Sequence, residues 1–254
     1  MTSIYHITYY TYDNSIYIFF QGCNFQCKGC ILKQLIWDCH LNNENQHALQ
    51  AVKDLRKLSL SEFKDIIKGF DVKKAILGGG EPTIDKELPD IINVLNALGV
   101  KTRLLTNGYL INEDFIKKLE EAGLSSICIS IKAYDDDIHQ FYTGKSNKPV
   151  LNNFKILDKS QIELMAESVL IPELIEYNEI KRIAKFIAGI RSSIPYRIDA
   201  FIPINDASWR APSLEEVIKA SKIAKRYLKK VHYIYNKTKI KGEVINIYPK
   251  IKAR

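Results

Sequence analysis

The chain of 254 residues has no uninterrupted apolar run of about 18 residues, the length that a membrane-spanning helix needs. Its first twelve residues lack the basic segment, apolar core and small-residue cleavage site of a secretory signal. Only five cysteines are present, and three of them lie within eight residues, which excludes a disulfide framework. We therefore expect a cytoplasmic protein with reduced thiols and no membrane partner.

Low-complexity segments and internal repeats are also absent, and 46% hydrophobic with 26% charged residues is typical of a globular protein. A chain of this length buries roughly three quarters of the surface that it exposes when unfolded. It therefore needs neither a disulfide nor a metal simply to fold. Any metal site is expected to serve chemistry.

Positive charge is unevenly distributed. The formal net charge is +8, yet twelve lysines or arginines face the single acid Glu243 between Lys219 and Arg254. Such asymmetry is compatible with an RNA-binding or acidic-partner surface, and a solvated basic helix is the commoner alternative. The sequence leaves both interpretations open.

Short β-rich runs alternate with helical patterns along most of the chain. The predicted strands cover residues 16–20, 74–77, 102–105, 127–131, 162–171 and 196–202. Helices are predicted at 86–98, 112–122 and 175–188, and after the capping boxes Ser59 to Glu62 and Ser213 to Glu216. This order predicts an α/β fold with parallel strands, a partial (β/α)6 barrel. We expect a core at 1–211 and, at 212–254, a C-terminal helix with a small basic extended appendage.

Unusual residues follow the predicted strands at their carboxyl ends. A cysteine cluster follows the first strand, residues 78–82 follow the second, and residues 106–108 follow the third. Ser130 and Lys132 close the fourth strand, and Pro203-Ile204-Asn205 follows the sixth. Parallel α/β folds carry their active sites on this face, so these motifs are predicted to converge on one cleft.

The cysteine cluster has the spacing Cys23-x3-Cys27-x2-Cys30, which lets one loop present three thiolates to a metal centre. Thiolates select zinc or iron–sulfur clusters. Three ligands on a cluster of four irons would leave one iron open for chemistry. The alternative is a zinc knuckle completed by Cys39 or His40, in a non-catalytic module that binds nucleic acid.

This cysteine motif, after the first strand of an α/β chain, resembles that of the radical S-adenosylmethionine (SAM) superfamily. The segment Gly79-Gly80-Glu81-Pro82 is similar to the glycine-glycine-glutamate motif of that family. Residues 106–108, 130–133 and 138–144 resemble the branch of pyruvate formate-lyase activating enzyme and other glycyl-radical enzyme activases. The similarity extends over most of residues 16–210.

The resemblance implies an oxidoreductase-like, anaerobic enzyme with one [4Fe-4S] cluster on Cys23, Cys27 and Cys30. It implies that reductive cleavage of SAM yields a 5′-deoxyadenosyl radical that abstracts a hydrogen atom from the substrate. Glu81 would help to hold the SAM amino group and Lys132 the carboxylate. The implied cofactor contacts are completed by Gly79, Gly80, Asn107, Ser130 and Asn205, and no catalytic side chain is assigned.

The implied partners are a one-electron reductant, such as flavodoxin or ferredoxin, and a glycyl radical enzyme. A small molecule or an RNA is the alternative substrate. The chain departs from the branch at four positions: Ser130 stands where Asp is usual, Glu167 where Arg is common, Asn205 where His is common, and Gly29 where an aromatic residue is frequent. These departures affect positions expected to meet SAM and the substrate.

Three further residues require separate interpretation. Cys39 and His40 follow the cluster motif, but two ligands cannot hold a cubane cluster, so we expect no auxiliary cluster and a structural Cys39. Cys128 is expected to be a small buried residue within a strand. His139 lies in a helical stretch after the fourth strand, where a structural or surface role is as plausible as a catalytic one.

Overall fold

A computed structural model describes residues 1–52, 54–235 and 240–251. The strands are β1 (Ile4–Tyr10), β2 (Ser15–Phe20), β3 (Lys74–Gly79), β4 (Lys101–Thr106), β5 (Ser126–Ser130), β6 (Glu163–Leu170), β7 (Tyr196–Ala200), β8 (Val231–Ile234) and β9 (Val244–Tyr248). The helices are α1 (Asn43–Gln50), α2 (Leu60–Lys68), α3 (Leu88–Ala97), α4 (Glu113–Glu121), α5 (Asp136–Thr143), α6 (Lys148–Leu157), α7 (Tyr177–Arg191) and α8 (Leu214–Ala224). Short 3₁₀ turns cover Ile31–Lys33 and Pro82–Ile84.

The nine strands form one sheet in the order β8-β7-β6-β5-β4-β3-β2-β1-β9. All pairs from β2 to β8 are parallel, whereas β1 pairs antiparallel with both β2 and β9. Among the described residues, no ladder joins β8 to β9, so the sheet stays open. The predicted α/β class with a parallel sheet is confirmed, and all six predicted strands are present.

Both predicted capping boxes are confirmed. The Ser59 hydroxyl accepts from the Glu62 backbone N–H at the start of α2, and the Ser213 hydroxyl does the same for Glu216 at α8. In return, each glutamate carboxylate accepts from the backbone N–H of its serine, Ser59 or Ser213. Both bonds satisfy backbone donors that a helix start leaves free. These two helix starts were therefore predictable from four residues.

The C-terminal part of the chain differs from the extended appendage expected after residue 212. Strand β8 continues the parallel sheet beside β7, and β9 forms the opposite edge beside β1. Helix α8 packs against α7. Residues 231–234 and 244–248 are thus integral to the same sheet as the core. Within the basic region from Lys219 to Arg254, residues 236–239 and 252–254 lie outside the described residues.

Strand β6 shows how the sheet separates its two faces. Leu164, Ala166 and Leu170 are buried on the outer face, where the helices pack into the hydrophobic core. Met165 and Glu167 alternate with them and point to the opposite, inner face, because successive side chains of a strand point to opposite sides.

In the described residues, no helix is long and apolar enough to cross a membrane.

The β1–β9 ladder predicts that the last strand stabilises the fold. A chain ending at Glu243 loses the Tyr248 contacts to His6 and Arg56, together with the buried side chains of Val244 and Ile247. Its free energy of unfolding should fall by roughly 4 kcal/mol in urea titration, since each buried side chain contributes about 1.5–3 kcal/mol. A control chain ending at Lys250 keeps β9 and should unfold like the full chain. Equal stability of the two would contradict a structural role for β9.

Candidate functional site

The three motif cysteines lie on the loop that follows β2, here called the cysteine loop (residues 21–30). This loop docks on the end of α5. The Gln26 and Lys28 backbone N–H groups donate to the carbonyls of Thr143 and Tyr142, each at 2.9 Å. The buried ring of Phe25 packs edge-on against His139, with centroids 5.5 Å apart. Helix α5 therefore fixes the backbone that carries the cysteines.

His139 is fully buried in this contact, and its Nδ1 lies 2.8 Å from the carbonyl oxygen of Lys145. Burial lowers the pKa of its imidazole. It does not line the cavity that holds the cysteines. Of the roles considered from the sequence, the structure supports the structural one.

Gly29 precedes the third cysteine and is one of the four departures from the activase pattern noted in the sequence. A Cβ at this position would lie 2.7 Å from the Phe201 ring and 3.0 Å from the Tyr142 hydroxyl. Aromatic rings from two other parts of the chain thus occupy the space beside this residue. The departure at Gly29 is therefore explained by packing.

The carboxyl ends of β2 to β6 surround one cavity of about 180 Å³. Nine of the ten predicted site residues line it: Cys23, Cys27, Cys30, Gly79, Gly80, Glu81, Asn107, Ser130 and Lys132. Seven further lining residues were not among the predicted site residues: Tyr17, Phe25, Leu32, Gly78, Leu105, Thr106 and Glu167. Strand alternation could have identified Tyr17 and Glu167, since both lie on the inner face.

Asn205 is the predicted site residue that the structure does not bring to the cavity. Its exposed backbone N–H donates to the Gln34 side chain at 2.9 Å. Strand β7 ends at Ala200, and the side chains of Phe201 and Ile204 are buried before Asn205 is reached. The segment is therefore anchored before position 205, and Asn205 lies at the surface.

Glu81 is only 2% exposed and connects the ends of β3 and β4. Its Oε1 accepts from the Thr83 backbone and from the Thr83 and Thr106 hydroxyls, whereas Oε2 accepts from the Asn107 backbone N–H at 2.7 Å. Burial raises the pKa of this carboxyl, although these hydrogen bonds oppose the shift. The arrangement leaves Oε2 with more remaining acceptor capacity than Oε1.

The glycines before Glu81 are required by the neighbouring strand. A Cβ on Gly80 would lie 2.1 Å from the carbonyl oxygen of Gly22, and one on Gly78 would lie 2.4 Å from the Tyr17 hydroxyl. Gly79 has φ +86°, which favours glycine. Close contacts within the protein and the backbone conformation thus account for Gly79 and Gly80, which were predicted to contact the cofactor.

Ser130 and Lys132 complete the cavity at the end of β5. The Lys132 Nζ donates to the Ser130 hydroxyl at 2.6 Å, and the Ile131 N–H donates to the Glu167 carbonyl. Burial raises the pKa of the Cys27 thiol to about 11, while the Lys132 charge opposes that rise. The lysine therefore faces the thiols across the cavity.

The donor set fits an iron–sulfur cluster better than one zinc ion. In the described residues, the one group of three potential ligands within 4.8 Å of one another is Asp38, Cys39 and His40. The three motif thiols do not form such a group, so at least one pair of their sulfur atoms lies more than 4.8 Å apart. Thiolates on one tetrahedral zinc lie about 3.8 Å apart, given Zn–S bonds of about 2.3 Å. A larger cluster requires wider spacing.

An amide beside the cysteines also fits a bound group. Asn107 Nδ2 donates to Asn24 Oδ1 at 2.7 Å and lies 3.9 Å from the Cys23 sulfur. The buried Nδ2 of Asn24 has no hydrogen-bond partner among the described residues. Buried donors are normally satisfied, so this N–H is available to a group bound beside the cysteine loop.

The group of Asp38, Cys39 and His40 is organised by its aspartate. The Asp38 carboxylate accepts from the Thr8 and Tyr10 hydroxyls at 2.7 Å and from the His40 ring Nδ1 at 2.9 Å. Burial alone would raise the pKa of Asp38, but these bonds outweigh it and lower the pKa to about 2. A carboxylate held by these donors is consistent with a structural role for this segment.

Comparison with known proteins covers most of the chain. A family model described as the radical SAM superfamily matches residues 17–187. A candidate glycyl-radical enzyme activating enzyme of Methanocaldococcus jannaschii is 30% identical over 230 residues, covering 89% of this chain and 82% of that protein.

Solved structures show the same fold at low identity. SuiB of Streptococcus suis bound to S-adenosylmethionine has a TM-score of 0.64 at 13% identity, covering 87% of this chain. This chain spans 46% of that one, less than half its length. A domain of a pyruvate-formate lyase-activating enzyme from Bacteroides vulgatus has a TM-score of 0.50 at 21% identity, covering 58% of this chain and 89% of that one. The predicted partial barrel is confirmed.

The close approach at Gly80 predicts a strong effect of a single methyl group. Gly80→Ala should lower the free energy of unfolding by about 3 kcal/mol, because a Cβ would overlap a backbone oxygen that cannot easily move. Gly189→Ala is the matched control, since its Cβ meets nothing within 4 Å in α7 and should stabilise the protein by about 0.5–1 kcal/mol. Similar unfolding curves for the two variants would contradict this packing argument.

Two histidines near Asp38 should show pKa values shifted in opposite directions when they are titrated by NMR. The hydrogen bond to Asp38 raises the pKa of His40 to about 10, and burial lowers the pKa of His6 to about 4. The His40–Asp38 pair should therefore stabilise the fold fully between about pH 3.8 and 6.5. This contribution is lost as the pH rises through about 10 or falls through about 2.

Asp38→Asn should return the His40 titration toward its ordinary value of 6.5. Titration of His40 near that value in the unmodified protein would mean that the pair does not form in solution.

Proposed function

The chain belongs to the radical SAM superfamily, and we propose that Cys23, Cys27 and Cys30 hold a [4Fe-4S] cluster used to cleave SAM reductively. Membership in the family implies an iron–sulfur cluster and SAM. The observation that carries the proposal is that three thiols share one cavity with Glu81 and Lys132. These two charged groups suit the amino and carboxylate groups of SAM.

Cys23, Cys27 and Cys30 would hold the cluster. Once reduced by an external one-electron donor, the bound cluster would supply the electron for reductive cleavage of SAM, the chemistry that gives methionine and a 5′-deoxyadenosyl radical able to remove a hydrogen atom from the substrate. The chain's own residues bind and orient. Because burial raises the pKa values of Cys23 and Cys27, these thiols release protons as metal binds.

Glu81 and Lys132 divide the recognition of SAM between opposite charges. Glu81 Oε1 is engaged by three donors, so Oε2 accepts from the SAM ammonium. The Lys132 ammonium meets the SAM carboxylate and keeps Ser130 as its anchor. Gly79, Gly80 and Asn107 shape the adjoining wall of the cavity.

The leading proposal for the product is a glycyl radical on a partner enzyme, with electrons from a flavodoxin or ferredoxin. The Methanocaldococcus relative, of which the chain covers 82%, supports this proposal by its name. Modification of a small molecule or an RNA is the second candidate. It is favoured by Ser130 and Glu167, which depart from the activase pattern at the cavity, and by the basic charge after Lys219.

The proposal predicts about four irons per chain after anaerobic reconstitution, and 5′-deoxyadenosine on reduction with SAM. Cys27→Ala should lose the cluster and lower the rate of 5′-deoxyadenosine formation by at least about 100-fold, because one of three ligands is removed. Cys39→Ala is the matched control and should retain both properties. Iron and sulfide analysis with chromatography of the nucleoside provides the measurements. One zinc per chain, without iron or SAM cleavage, would contradict the proposal.

A further inference from the structure

Three charged side chains lie together on the inner face of the sheet beside the cavity. Glu167 on β6 is in register with Ser130 on β5 and with Arg197 on β7. Asp199 follows two residues after Arg197 and so points to the same face. Glu167 itself lines the cavity that contains the motif cysteines. The arrangement extends the site away from the residues assigned to SAM.

One guanidinium is shared by two carboxylates in this cluster. Arg197 Nη2 donates to Glu167 Oε2 and, at 3.0 Å, to Asp199 Oδ2. Its Nε lies 2.9 Å from Asp199 Oδ1. The side chains of Glu167, Arg197 and Asp199 are 15%, 32% and 25% exposed, so water screens them only partly. With both acids ionised, the trio carries one uncompensated negative charge.

Neighbouring groups respond to this negative charge. Burial raises the pKa of Asp199 to about 6, and Glu167 adds to the rise against the opposing Arg197. Burial and the Glu167 charge also raise the pKa values of Tyr17 and Cys128. The neutral thiol of Cys128 and the neutral phenol of Tyr17 therefore do not balance the negative charge of the trio.

The nearby cations are already engaged. Lys132 donates to Ser130 at 2.6 Å, and its proposed role is to bind the SAM carboxylate. Arg103 lies on β4 and donates from Nε to the Ser126 hydroxyl at 3.2 Å. By strand register, Ser126 is four residues before Ser130, near the opposite end of β5. Two acids line the cavity, Glu81 and Glu167. Glu81 is assigned to SAM, and Glu167 shares its cation, Arg197, with Asp199.

We propose that Glu167 makes the substrate subsite selective for a positively charged nitrogen, an ammonium or a guanidinium, close to the hydrogen atom that is removed. This inference rests on the proposed function and names the chemical class of its substrate. A cation would balance the net negative charge of Glu167, Arg197 and Asp199. An anionic substrate would be repelled by the carboxylates of Glu167 and Asp199. Charge complementarity of this kind gives specificity by rejecting the wrong partner.

The test uses the reconstituted protein with SAM and ligand-observed NMR at fixed ionic strength. Matched probes differ in charge: n-butylamine, n-butanol and butyrate represent a free small molecule. Acetyl-glycyl-lysyl-glycinamide and its glutamyl counterpart represent a peptide. Binding of the amine should exceed that of butyrate by about tenfold or more, and the lysyl peptide should likewise exceed the glutamyl peptide. Tighter binding of n-butylamine would identify a free small molecule as the source of the charged group, and tighter binding of the lysyl peptide would identify a peptide.

Two variants assign the effect. Glu167→Gln leaves one carboxylate for Arg197, so no charge is orphaned, and should reduce the cation preference to about twofold or less. Asp199→Asn makes the same change in charge at a residue that does not line the cavity and should keep most of the preference. Glu167→Asp retains the charge and should rescue it. Unfolding curves establish that each variant is folded.

Several outcomes would overturn the inference. These are an unchanged preference in Glu167→Gln, an equal loss in Asp199→Asn, tighter binding of the anions, or no difference between charges in the unmodified protein. Formation of 5′-deoxyadenosine by the unmodified protein separates the two proposals. If SAM is cleaved but no charge preference exists, the proposed function stands and the assignment of Glu167 falls.

Discussion

The backbone contact between the end of β3 and the start of the cysteine loop determines the geometry of the site. Gly80 N–H donates to the Phe20 carbonyl and Glu81 N–H to the Gly22 carbonyl, each at 2.8 Å. Two strand ends come this close because position 80 has no side chain. The same contact therefore sets where the cysteines begin and where the Glu81 carboxylate lies, although about sixty residues separate them in sequence.

The charged groups of the cavity lie at the ends of successive strands, beginning with Glu81 at this contact. Glu81 is held by hydrogen bonds rather than by a cation, which leaves it able to accept an ammonium. Lys132 follows β5, and the acid–base trio around Arg197 lies on the next two strands, β6 and β7. Parallel register puts these groups on neighbouring strands at one edge of the sheet, so a single cleft contains separate regions for opposite charges.

The sequence predicted those features that depend on local chemistry. The capping boxes, the strand pattern and the motif cysteines were identifiable because short-range spacing determines them. The edge strands β8 and β9 and the neighbouring β1 were not predicted, since their pairing depends on distant segments. Asn205 was assigned to the site by counting from the strand end, but the burial of Phe201 and Ile204 directs the chain elsewhere. Glu167 was recognised as unusual, and its partner Arg197 became evident only from the register.

The pairing of β1 with β9 also affects the order in which the protein is made. The cysteine loop and β3 to β7 emerge from the ribosome before residues 244–248 are synthesised, so the parallel strands can associate first. The ladder between residues 7–10 and 244–248 has one of the longest sequence separations in the fold and forms late. Until then, β1 remains an uncovered edge next to the strand that carries the cysteines. Protection of the nascent chain from association is therefore needed for as long as this edge is open.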